Sequence, residues 1–113
     1  MVKVDQDTKK LFKKFINECS RMYRPSGQTD NANRWIPTDS ERFSCCEGIR
    51  SPSRAYPWSM YKHCHSKKHI KCLLSERYSI DCYEDLPLLI NEPNLFFRDL
   101  AQKFLTSDTS VHI

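Results

Sequence analysis

Residues 43–72 read FSCCEGIRSPSRAYPWSMYKHCHSKKHIKC, and the reading of this stretch decides what kind of small domain the chain builds. It holds four of the six cysteines and three of the four histidines. No acid lies between Glu47 and Glu76, whereas Arg50, Arg54, Lys62, Lys67, Lys68 and Lys71 supply six positive charges. Thiols and imidazoles at this density are the donors zinc takes in tetrahedral sites. The competing reading is an ordinary core with buried thiols and a solvated basic face.

The densest part is Cys64-His65-x3-His69-x2-Cys72. On a helix His65 and His69 lie four apart on one face, and His69 and Cys72 three apart. Cys64 joins them only if the helix breaks, and Ser66 is a residue that caps a new helix. A further ligand would come from Cys45 or Cys46. Neighbouring side chains point to opposite faces of an extended chain, so one of the two should bind and the other pack. The expected ligand set is therefore Cys46, Cys64, His69 and Cys72 around one structural zinc, with Cys45, His65, His63 and Cys82 as substitutes. No CxxC pair occurs, and the spacing as a whole departs from that of a Cys2His2 finger.

Outward from this centre the pattern is helical. Residues 7–24 place Leu11, Phe12, Phe15, Ile16, Cys19, Met22 and Tyr23 at helical spacing, with Lys9, Lys10, Lys13, Lys14, Asn17 and Arg21 opposite. Pro25, Ser26 and Gly27 end that helix. Residues 25–42 are polar and turn-rich and read as a long loop, pinned by Trp35 and Ile36. Beyond Glu76 the charge reverses: residues 76–99 carry six acids against Arg77 and Arg98. Within them residues 78–83 alternate briefly, as a short strand would, and Pro87 argues against a central strand at residues 86–90. A last helix is expected over residues 92–105, with Phe96, Phe97, Leu100, Ala101, Phe104 and Leu105 on its buried face.

Length and composition bound the rest. A chain of 113 residues with 39% hydrophobic and 12% aromatic content supports one folded domain, residues 1–113. Two glycines, with neither GxGxxG nor GxxxxGK[ST], make Rossmann, P-loop and β-helix readings poor. The amino terminus is charged and lacks a signal-type apolar run, and no segment reaches the length of a membrane span. An intracellular, cytoplasmic or nuclear setting is expected, in which the cysteines act as thiols or ligands rather than disulfides.

The fold expected is thus a small α-dominated or α+β domain. A Cys/His-rich basic module at residues 43–75 sits between an amphipathic amino-terminal helix and a carboxy-terminal one. Its cations at Arg50, Arg54, Lys62, Lys67, Lys68 and Lys71, interleaved with Trp58 and Tyr61, are the ingredients of nucleic-acid binding, single strands or RNA above all. The rival is a non-catalytic adaptor or subunit of a larger complex, meeting an acidic protein surface. Catalysis is not expected. No HExxH occurs, and Cys64 beside His63 and His65 gives no positioned base, because neighbouring side chains on a helix diverge.

Overall fold

The computed structural model describes residues 6–31, 35–47 and 59–111. Helix α1 runs Gln6–Met22, followed by strands β1, Gly27–Thr29, and β2, Trp35–Pro37. Two 3-10 turns follow at Asp39–Glu41 and Ser44–Cys46. Helices α2, Ser59–Cys64, and α3, Lys67–Tyr78, come next, then a 3-10 segment at Tyr83–Leu89 and helix α4, Leu95–Val111.

The core forms where the apolar stripes of three helices meet. Phe15, Ile16 and Cys19 of α1, Ile70, Leu73 and Leu74 of α3, and Phe97, Leu100 and Ala101 of α4 are all buried, and Leu86 and Leu89 close the base. Phe15 meets Phe104 edge-on at 5.5 Å between ring centroids, and Tyr23 lies 5.2 Å from Phe97. Side chains four and three apart on one helix face supply this surface, so the lysines of α1 are left on the water side. No helix among the described residues is long and apolar enough to cross a membrane.

Three expectations change. The polar stretch 25–42 is not all loop: β1 and β2 pair antiparallel, with Gly27 opposite Pro37 and Thr29 opposite Trp35. Gly27 is required by close approach, since a Cβ there would stand 2.6 Å from the carbonyl oxygen of Ile36 and run into the Trp35 ring. The alternating residues 78–83 form no strand. Burial of Leu73 and Leu74 carries α3 on through Tyr78, and Ser79 then turns the chain in the left-handed region at φ 61°. The Ile80 amide donates to the Leu74 carbonyl at 2.8 Å, which caps the helix and redirects the chain into the 3-10 segment. The last helix starts at Leu95 rather than 92, because Asn94 caps it by accepting the Phe96 amide at 3.0 Å.

The result is a compact, mostly helical domain with a small two-stranded sheet. Its Cys/His cluster lies where the Ser44–Cys46 turn meets α2 and the start of α3.

Candidate metal centre

Helices α2 and α3 are separate, and the break between them is made by one hydroxyl. The Ser66 Oγ donates to the His63 carbonyl at 2.6 Å and accepts the His69 amide at 3.2 Å. The same side chain thus closes α2 and opens α3, and it fixes His63 relative to His69. Their rings stand edge to face, 5.1 Å apart.

The Ser44–Cys46 turn faces them. It is clamped to α3 by Glu76, whose carboxylate accepts the Ser44 amide at 3.1 Å and its hydroxyl at 2.5 Å. A 3-10 turn rotates successive side chains by about 120° instead of the near 180° of a strand. Cys45 and Cys46 can therefore converge on one point, which an extended chain forbids.

Cys45, Cys46, His63 and His69 place one donor atom each within 4.8 Å of all the others. The His63 Nε2 lies 3.2 Å from the Cys45 Sγ, and the His69 Nδ1 lies 3.6 Å from Cys45 and 3.4 Å from Cys46. Tetrahedral zinc, with Zn–S of about 2.3 Å and Zn–N of about 2.0–2.1 Å, requires sulfur–nitrogen separations of about 3.5 Å. The three distances bracket that value, so the donor set fits one ion of this size.

The surroundings fit as well. The other nitrogen of His69, Nε2, lies 3.4 Å from Oε2 of Glu41, which is only 2% exposed. The Tyr23 hydroxyl donates to the remaining oxygen, Oε1. A carboxylate behind a ligand histidine fixes its tautomer and raises its basicity, as zinc sites commonly arrange. Burial, with Cys72 and Cys46 close by, pushes the Cys45 thiol far up in the metal-free chain, so ionising it calls for a cation. Burial together with the charges of His69 and Lys68 pushes His63 down, which keeps its imidazole neutral and ready to coordinate.

The residues expected from sequence are distributed as follows. Cys46 and His69 belong to the cluster, and Cys45 and His63 complete it. Cys64 is fully buried against Cys46 and Glu41, its thiol pushed up to about 12 by burial first and those neighbours second. Cys72 lies beside Cys45, between it and Glu76. His65 turns the other way, its ring 4.6 Å from that of Tyr61. Cys82 is remote, its sulfur 3.4 Å from the Asp85 carboxylate. Lys62, Lys67, Lys68 and Lys71 are exposed, and Tyr61 is half-buried with its ring against Trp35. Arg50, Arg54 and Trp58 lie outside the described residues.

One signal in the sequence pointed to His63. His63-x5-His69 falls within the x3–5 spacing usual for the histidine half of a zinc finger. The adjacent cysteines hid it, because they replace the usual spaced pair. The fold and the site together define a small helical domain with a Cys2His2-like centre capable of holding a metal ion. No protein-family model, curated protein or solved structure matches the chain.

Proposed function

We propose that this is a zinc-braced, non-catalytic nucleic-acid-binding module that meets its ligand with Lys62, Lys67, Lys68 and Lys71. The observation that carries the reading is where these charges sit. Lys67 and Lys68 occupy the first turn of α3, which contains no acid. The helix dipole is already positive there, so each lysine costs about 0.3–1 kcal/mol unless an anion is present. Among the described residues none of the four lysines forms an ion pair. Lys67, Lys68 and Lys71 also share one face of the helix, at spacings three and four.

The metal centre supports this reading by holding the start of α3 through His69. Four side-chain ligands close the coordination sphere, which favours a structural ion over a catalytic one. Tyr61 is engaged with Trp35 and His65, so recognition rests on phosphate contacts more than on that ring.

The test is fluorescence anisotropy of the zinc-loaded chain with labelled single-stranded RNA, single-stranded DNA and duplex over a range of salt. Affinity should fall steeply with salt. Replacing Lys67, Lys68 and Lys71 by Gln should lower the log–log salt slope by about 2 to 3 and weaken binding to every ligand bound. An unchanged slope in that variant, or binding indifferent to salt, overturns the proposal.

A further inference from the structure

A second surface lies at the other end of the charge distribution. Five large apolar residues are exposed among those described, and three of them belong to one corner: Leu88 at 64%, Ile90 at 41% and Leu95 at 57%. The corner is tightly folded. The Ile90 amide donates to the Pro87 carbonyl at 3.1 Å and the Glu92 amide to the Leu89 carbonyl at 3.0 Å. These turns hold the chain between the Tyr83–Leu89 segment and α4, so the three side chains project from an ordered edge. The side chains beneath them, Leu86, Leu89 and Phe97, are already buried, and the outer three serve no packing role in the core.

The stretch of chain that builds this corner carries charge of nearly one sign. Residues 81–99 contain Asp81, Glu84, Asp85, Glu92 and Asp99 against Arg98 alone, and Arg98 is taken up by Asp99 at 3.3 Å. Asp81 and Glu84 are exposed, and neither forms an ion pair among the described residues. Exposed apolar anchors on a chain segment whose charges are nearly all carboxylates select a ligand of complementary pattern.

We infer that this corner docks a partner polypeptide segment in which lysines or arginines flank two or three large apolar side chains. Among the described residues the chain's own basic run, residues 62–71, includes none of the large exposed apolar residues that would cover Leu88 and Leu95, which favours a partner over this run of a second copy. An anionic membrane surface would be repelled by the same carboxylates. The surface is separate from the lysine face of α3 and does not rest on nucleic-acid binding.

The experiment uses the zinc-loaded full chain and a short, labelled amphipathic peptide of leucines and lysines, read by anisotropy. Two control peptides keep the leucines with glutamates in place of lysines, or keep the lysines with serines in place of leucines. The leucine–lysine peptide should bind, and both controls should bind about tenfold more weakly or worse. Leu88→Ser with Leu95→Ser, at exposed positions, should weaken the leucine–lysine peptide by about tenfold while leaving the circular dichroism unchanged. Glu84→Lys should weaken the leucine–lysine peptide and strengthen the leucine–glutamate one. Equal binding of the two leucine peptides overturns the inference, as does indifference to the double substitution. So does a wild-type dimer in sedimentation that Leu88→Ser with Leu95→Ser dissolves, or capture of the chain by phospholipid vesicles.

Discussion

Replacing Glu41 by glutamine removes one charge and almost no volume from behind the metal centre. The new side chain is expected to retain a hydrogen bond to His69 and to remain beside the Tyr23 hydroxyl, because its amide offers one acceptor and one donor group in place of two acceptors. What disappears is the negative charge, which is almost fully shielded from water. Loss of such a partner to a ligand histidine costs about 10–100-fold in metal affinity, or about 1.4–2.7 kcal/mol. The affinity can be read by zinc competition with a chromophoric chelator. The same quantity must reappear in stability: at fixed excess zinc, the metal-linked part of the unfolding free energy should fall by the same about 1.4–2.7 kcal/mol. The metal-free chain should lose much less. If Glu41→Gln leaves zinc affinity within twofold of wild type, or destabilises the metal-free and zinc-loaded chains equally, then Glu41 is a packing residue and the account of the site is wrong.

Ser66→Ala removes the hydroxyl that joins the backbones of His63 and His69. It should cost about 1 kcal/mol as a lost helix cap and also weaken zinc binding, both measurable in the same titration. Phe97→Ala, in contact with Tyr23, Tyr78 and Phe96, should lower urea stability by about 3–5 kcal/mol with little change in zinc affinity. The Glu76 carboxyl is held below the usual glutamate range, first by the Ser44 hydroxyl and then by its amide. A depressed folded value means its contribution is full above about pH 4.3, the unfolded value, and is lost as pH falls through the folded one. The stability gap between wild type and Glu76→Gln should accordingly be open near neutrality and close in acid, as thermal melts across pH would record.

The helices were legible because their information is periodic and redundant. Any of Leu11, Phe12, Phe15 or Ile16 could be misread and the stripe of α1 would survive. The sequence did not decide between one bent helix and two at residues 59–78, but it did offer Ser66 as a cap between two apolar patterns, and the hydroxyl does what that chemistry suggests. The hairpin was not legible. Its strands are three residues long, below any useful period, and its pairing depends on Gly27 making room for the Trp35 ring. The Cys/His composition announced a metal centre, but the identity of its members turned on local backbone geometry. Cys45 and Cys46 converge only because residues 44–46 form a 3-10 turn. Cys64, one residue after His63, is buried beside Cys46 and Glu41 and does not belong to the group of four. Glu41 could not have been found from spacing at all, because folding brings it to His69 from 28 residues away.

Helix α3 belongs to both halves of the molecule. Its residues Ile70, Leu73 and Leu74 are rooted in the hydrophobic cluster with α1 and α4, while His69 faces the metal donors. Phe43, at the edge of that cluster, meets the ligand His69 at 5.4 Å between ring centroids, whereas the pairs Phe15–Phe104, Tyr23–Phe97 and Tyr78–Phe97 contain no ligand residue. The domain is thus expected to come apart in stages. Amide hydrogen exchange after zinc chelation should quicken first in the Ser44–Cys46 turn, α2 and the opening turn of α3. The last turns of α3 and the middle of α4 should keep their protection until global unfolding. Under the proposed function, a recognition end that is gained or lost with one ion, on a scaffold that stays folded, would let zinc supply decide when the lysine face is presented in fixed register.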